Sequence, residues 1–253
     1  MRKEMIFALA ALFFMTLSIT GVYAGEEDNK WITISTSKQD VTGDKKEDTI
    51  IIKGLPYEEG ETHSFLKEIQ LQINASNGKV YTIALDGGYS PKIKFLDLNH
   101  DGIKDMFVSS DTGGSGGITN HYLYTLKDFN LTDLTVPDAL VINGQFQNGY
   151  KASITIQETG ESVTFDLRNR GKEYEKSGLY INGKLSEPTE LMVDPFAVLK
   201  PKLVTDDKMY GLIGYQAISG AYHADRIAIV KSIWLYENGK WVLKDTKILE
   251  SKS

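Results

Sequence analysis

Apolar and polar residues alternate with a period of two through most of the chain beyond residue 30. Trp31 to Thr36 alternates, and Asp48 to Lys53 holds a Thr-Ile-Ile-Ile run that stops at Gly54-Leu-Pro56. Ile69, Leu71 and Ile73 point one way and Gln70 and Gln72 the other; Tyr81, Ile83 and Leu85 repeat the pattern after Asn77-Gly78. That predicts a β-hairpin, because a side-chain period of two with a tight Asn-Gly turn suits paired strands. The same pattern sets Ala152, Ile154 and Ile156 against Val163, Phe165 and Leu167 across Glu158-Thr-Gly160, and Trp234 and Tyr236 against Trp241 and Leu243 across Asn238-Gly239. Asn182-Gly183 marks another turn. Residues 61–67 read as a polar connection with one helical turn at most. Only 189–200 has helical character over any length, and Pro195 interrupts it. The pattern predicts an all-β chain.

Between two of these strands lies Asp97-Leu-Asn-His-Asp-Gly-Ile-Lys-Asp105. Side-chain oxygens sit at Asp97, Asn99 and Asp101, a glycine follows, and Asp105 adds a carboxylate before the apolar run from Met106. Oxygens at alternate places, a bend at Gly102, the Ile103 carbonyl and a closing carboxylate are what a short loop needs to wrap a hard cation. Clustered aspartates repel one another unless a cation neutralises them, and calcium tolerates such a flexible cage better than magnesium. A helix-loop-helix calcium site is excluded, since its twelfth place is Val108 and a strand follows. The bland alternative is a polar turn, because Asn, Asp and Gly are also turn residues.

The loop repeats. Asp40, Thr42, Asp44 and Asp48 occupy the same first, third, fifth and ninth places 57 residues earlier, although Lys45 replaces the glycine and Lys46 adds positive charge. A worn third copy puts Leu203, Thr205, Asp207 and Gly211 at those places, and only two of them carry a side-chain oxygen, so no metal is expected there. Tyr122-Leu-Tyr124 and Trp234-Leu-Tyr236 correspond downstream.

On these residues the chain resembles the FG-GAP and VCBS-type calcium repeats of extracellular proteins, whose signature is Asp-x-Asn/Asp-x-Asp-Gly-x-x-Asp followed by a strand. The match is specific over 97–108, weaker over 40–51 and vestigial over 203–215; residues 138–200 carry no such signature. The resemblance implies a small or partial β-propeller-like repeat architecture with Ca2+ in the loops. A β-sandwich of antiparallel hairpins is the alternative arrangement.

The first 24 residues read as a secretory signal peptide: Arg2 and Lys3 precede an apolar stretch from Met5 to Val22 that ends in Val22-Tyr-Ala24. Residues 25–30 would be a loose tail and 31–253 one all-β domain, with no transmembrane span left after cleavage. Losing Arg2, Lys3 and Glu4 takes the formal net charge from −6 to −7. With no Lys/Arg cluster, that excludes nucleic acid as a partner. The chain has no cysteine, so neither disulfides nor a lipid-modified cysteine can hold it, and a bacterial export route with a secreted or cell-wall-associated protein is expected. Asn74-Ala-Ser76 and Asn130-Leu-Thr132 fit the N-glycosylation pattern, which would be idle there. Zinc is excluded by the scatter of His63, His100, His121 and His223; His100 is expected in solvent.

Two other motifs bear on function. Gly113-Gly-Ser-Gly-Gly117 has the form of a serine-hydrolase elbow, with Asp111 and His121 nearby, but a strand is predicted where that elbow needs a helix. Asp111-Thr-Gly113 resembles an aspartic-protease triplet without its second copy. Trp234, Tyr236 and Trp241 could stack on sugars or pack within a sheet. The reading is a secreted, calcium-stabilised, non-catalytic β-repeat protein of the cell envelope with a protein or cell-wall glycan as partner. A wall-polymer or peptide hydrolase and a carbohydrate-binding module are the alternatives.

Overall fold

A computed structural model describes residues 30–58, 64–204 and 208–251. The predicted leader, the predicted tail up to residue 29, His63, Thr205 and Asp207 lie outside the described residues. The chain divides between Trp31 and Ile32, and every described strand belongs to the unit from Ile32 onward. Among the described residues no helix is long and apolar enough to cross a membrane.

The all-β expectation holds. Strands β1 (Ile32–Gln39), β2 (Asp48–Pro56), β3 (Leu66–Asn74), β4 (Val80–Leu96), β5 (Asp105–Asp111), β6 (Thr119–Thr125) and β7 (Thr132–Asp133) follow one another as an antiparallel meander. The 17-residue β4 serves two sheets: Val80–Gly88 pairs with β3, and Tyr89–Leu96 pairs with β5. A second group, β8 (Ile142–Gln147), β9 (Lys151–Ile156) and β10 (Ser162–Asp166), forms a three-stranded sheet. After the two-residue strands β11 (Tyr180–Ile181) and β12 (Lys184–Leu185), the strands β13 (Met192–Leu203), β14 (Tyr210–Ser219), β15 (Arg226–Glu237) and β16 (Lys240–Glu250) make a four-stranded meander. The described strands close into neither a barrel nor a propeller ring; antiparallel hairpins packed face to face are what the sequence builds.

The predicted turns pair as expected. Leu71 faces Ile83 across Asn77-Gly78, Ala152 faces Phe165, and Tyr236 faces Trp241. At Asn238-Gly239 both residues have positive φ, 51° and 80°, the conformation whose twist matches a two-residue hairpin. Residues 192–203 are strand rather than helix. The pairing of β13 with β14 shifts register between Val193 and Phe196, so Pro195, which has no N–H to give, sits where a regular ladder is not required. The one described α-helix, α1 (Gly171–Lys176), has too few residues to show a period in sequence.

The β5–β6 sheet is the middle layer. Its Phe107 and Leu123 join Leu98 and the apolar faces of β8 to β10 and β13 to β15 in one core. Met106, Val108 and Tyr124 join Ile50, Ile52, Leu71 and Ile73 in the other. Burial on both faces explains why Met106-Phe-Val108 is continuous rather than alternating. His121 ties this layer to β13. Its Nε2 accepts the Leu199 N–H at 3.2 Å, with the Thr119 hydroxyl 3.0 Å away, and its ring lies 5.8 Å from Phe107. Burial pushes the imidazole down to about 4.

An unfolded histidine titrates near pH 6.5. Between about 6.5 and 4 the unfolded chain therefore binds a proton that the folded one refuses, and stability falls as pH falls. Going from pH 7 to 4.5 should cost the protein roughly 2 kcal/mol more than it costs His121→Gln, measured by urea unfolding. Parallel pH profiles for the two would contradict it.

Candidate metal centre

The Asp97 loop joins β4 to β5, and its residues fold inward. Leu98 is fully buried and pins the loop to the core. The Asp97 carboxylate accepts the Asp101 N–H at 3.1 Å and the Gly102 N–H at 3.0 Å. Asn99 Oδ1 also accepts from Asp101, and Asp101 Oδ1 accepts the Ile103 N–H at 2.9 Å. Each bond closes a small ring that turns the backbone, the usual way Asx side chains make turns. His100 and Gly102 take positive φ, 62° and 85°. A Cβ on Gly102 would meet nothing within 4 Å, so glycine is there for its dihedral freedom and not for space.

Asp105 closes the loop and opens β5, with no exposure to solvent. Its Oδ2 accepts the Leu98 N–H at 2.8 Å and the Asn99 N–H at 3.1 Å. Its Oδ1 is buried and makes no hydrogen bond of regular geometry; the Thr125 hydroxyl, buried as well, lies near enough to pull the carboxyl's pKa down but is not aligned as a regular donor. Burial pushes the Asp105 carboxyl up to about 6, and the charge of Asp101 adds to the rise. A buried acceptor without a donor costs on the order of 1–3 kcal/mol, more when charged. A cation would recover that cost. One is already close: the Lys127 ammonium stands 3.3 Å from Asp101 Oδ2 and 3.4 Å from the Asp101 carbonyl.

The Asp40 loop between β1 and β2 repeats this backbone almost bond for bond. Asp40 accepts the Gly43 N–H at 2.7 Å and the Lys45 N–H at 2.9 Å. Asp44 Oδ1 accepts the Lys46 N–H, and Asp48 Oδ2 accepts the Val41 N–H, both at 2.9 Å. Gly43 and Lys45 take the positive φ, 82° and 66°, that His100 and Gly102 take in the other loop. The difference is at the closing residues. Ser76, from the β3–β4 turn, donates its N–H to Asp48 Oδ1 at 2.8 Å and its hydroxyl to Asp44 Oδ2 at 2.6 Å. Thr42 adds its hydroxyl to Asp44. The Ser76 hydroxyl holds the Asp44 carboxyl below the usual range. Ser76 thus meets the Asp48 oxygen whose counterpart, Asp105 Oδ1, has no regular donor, and the Asp44 oxygen whose counterpart, Asp101 Oδ2, is met by Asn99 Nδ2 at 3.2 Å and by Lys127.

The two loops touch: a Cβ on Gly43 would come within 2.5 Å of Ile103 Cδ1, and Lys104 Nζ donates to Gln39 Oε1 at 3.1 Å. The segment after β6 bridges them, Lys127 reaching Asp101 and the Asp128 N–H donating to the Thr42 carbonyl at 3.0 Å. Among the described residues no group of three or more His, Cys, Asp or Glu side chains stands arranged around a metal position. Asp97 and Asp101 are turned toward loop amides instead. The fit to calcium therefore rests on Asp105 Oδ1, with Asp97, Asn99 and Asp101 on the same loop. The Asp40 loop fits poorly, because Ser76 fills it. Sequence reasoning missed Ser76 and Lys127; Ser76 read only as part of a glycosylation pattern. His100, expected in solvent, is half-buried with Nε2 enclosed and unbonded.

The other nominated residues are spread out. The Gly113–Gly117 loop is a turn joining β5 to β6, closed by Thr112 N–H to the Ile118 carbonyl and Gly117 N–H to the Gly114 carbonyl, and Gly113 lies against the Tyr89 ring. His121 is spent on Leu199, as described above. Gly116 instead lies beside Asp194, whose Oδ2 is 3.3 Å from His223 Nδ1. Trp234 is buried with its indole N–H on Ser232 Oγ, and Trp241 gives its N–H to the Thr135 carbonyl while packing edge-on to Tyr236. These aromatics serve the sheet.

Comparison with known proteins gives a family but no activity. Residues 140–249 match the family model for the YybI C-terminal domain. Among solved structures, the exotype rhamnogalacturonan lyase YesX is similar at TM-score 0.36 with 16% identity, and a Bacillus licheniformis rhamnogalacturonan lyase at TM-score 0.36 with 12% identity. Each of these likenesses covers 87% of this chain and only about a third of the lyase, 33% and 34%, too loose a match to carry an argument. The Bacillus subtilis (strain 168) protein described as "Uncharacterized protein YybI" is 31% identical over 231 residues, covering 84% of this chain and 82% of that protein. With that identity sustained over most of both chains, this chain belongs to the YybI family.

Proposed function

We infer that this YybI-family protein is an exported, non-catalytic β-repeat module of the cell envelope, stabilised by one calcium ion in the Asp97–Asp105 loop and serving to bind a protein or wall glycan. The observation that carries the metal reading is the buried Asp105 Oδ1, without a hydrogen bond of regular geometry, at the closing place of a loop that carries Asp97, Asn99 and Asp101. Asp97, Asn99, Asp101, Asp105 and the Ile103 carbonyl would hold the ion, and the ion would supply the positive charge that these carboxylates lack. The resemblance to FG-GAP and VCBS repeats supports the same reading, as does the near-identity of two loops of which only one is filled by Ser76. The leader-like first 24 residues and the lack of cysteine support export, to where calcium is plentiful. The non-catalytic part is supported by the commitment of His121 Nε2 to the Leu199 N–H.

Calcium would act through folding linkage. With a dissociation constant on the order of 0.1 mM, calcium at about 1 mM adds roughly 1.4 kcal/mol. For a domain of this size that raises the melting temperature by roughly 3–6 °C. Melting residues 25–253 with calcium and with chelator should show this rise, and Asp101→Ala should lack it. Equal melting in both buffers for the parent chain would defeat the reading. Lys127 competes with the ion for Asp101, so Lys127→Met should melt lower in chelator yet bind calcium several-fold more tightly by calorimetry. Unchanged or weaker binding in that variant would show that the ammonium does not occupy the cation's place.

A further inference from the structure

The solvent face of the β8–β9–β10 sheet is built of neutral polar side chains over two successive rungs. Charged residues make up 25% of the sequence. Yet two successive rungs across this sheet carry none: Asn143 pairs with Thr155 and Thr155 with Ser162, then Gln145 pairs with Ser153 and Ser153 with Thr164. Alternation sends these six side chains to one side, while Ile142, Phe146, Ala152, Ile154 and Phe165 go to the core on the other. The hydroxyls are held in place, Thr155 Oγ1 lying 2.8 Å from Ser162 Oγ and Gln147 Nε2 donating to Ser153 Oγ at 2.9 Å.

This face is also concave. Residues 189–191 run beside β8 as an added edge, with Phe146 N–H on the Thr189 carbonyl, Leu191 N–H on the Gly144 carbonyl, and a bridge between Gln145 and Glu190. The edge walls a groove of about 390 Å³ whose polar lining is Asn143, Gln145, Ser153, Thr155 and Glu190. That volume is of small-molecule size. The Asn143 and Gln145 carboxamides are exposed and make no hydrogen bond among the described residues, so their donors and acceptors are available.

We propose that this groove binds a neutral oligosaccharide. A carboxamide offers a donor and an acceptor in one plane, and a hydroxyl both donates and accepts. Adjacent sugar hydroxyls need that mixture, whereas an anionic ligand needs cations, which the groove lacks, and would meet Glu190. An apolar ligand would bury the carboxamides unpaired at a cost. The partly exposed Val193 in the wall gives apolar surface that the CH face of a sugar ring can cover. The groove and the acidic loops lie in different sheets, so this site stands or falls independently of the metal reading.

Binding with a dissociation constant on the order of 1 mM is within reach of amide chemical-shift mapping of the whole chain from residue 25. The probes are maltohexaose, cellohexaose and hexameric N-acetylglucosamine, with polygalacturonate as the anionic control. At least one neutral probe should shift amides of β8, β9 and 189–191, and polygalacturonate should not. Asn143→Ala with Gln145→Ala should weaken that binding about tenfold or more while leaving the melting temperature in place. No shift with any neutral probe, shifts confined to another sheet, equal response to polygalacturonate, or undiminished binding in the double variant would overturn the proposal.

Discussion

Everything near the two acidic loops turns on one buried carboxylate. Asp105 must sit where it does because its Oδ2 caps the Leu98 and Asn99 amides and so starts β5, the strand whose two faces feed both cores. That leaves Oδ1 enclosed with no hydrogen bond of regular geometry, only the Thr125 hydroxyl nearby. A buried acceptor in this state favours a positive partner or a proton, and burial lifts the carboxyl to about 6 so that it takes the proton once the pH falls below that value.

The Asp40 loop shows how the same problem is met without a metal. Asp48 occupies the same closing position, equally buried, and caps Val41 as Asp105 caps Leu98. Its second oxygen is taken by the Ser76 N–H, and the same residue's hydroxyl takes the free oxygen of Asp44. The two loops therefore differ most in what supports their carboxylates, Ser76 on one and Lys127 on the other. Packing between Gly43 and Ile103, together with the Asp128 amide on Thr42, makes the pair one structural unit at the same end of the first meander.

Strand positions were legible in sequence wherever one face is buried, as at Leu71–Ile73 and Ala152–Ile156, since burial on one side forces the period of two. The turns were legible because Asn-Gly has few alternatives. The strand at 192–203 was not, because Pro195 and a register shift break its period. Of the candidate site, the oxygens were all visible, but their present bonds to loop amides were not. Ser76 and Lys127 were invisible for a simple reason: they reach the loops from 28 and 26 residues away, which no local spacing reveals. The neutral groove was equally hidden, since its lining is assembled from two strands and the edge at 189–191, none of which carries a motif.

The two loops, alike in backbone, differ in need: Ser76 fills one, and the other is left for a cation. Equilibrium calcium binding read as ions per chain distinguishes them. One ion per chain is predicted, retained in Asp44→Ala and abolished in Asp101→Ala. No bound ion at millimolar calcium, or two ions of similar affinity, would rule out that difference.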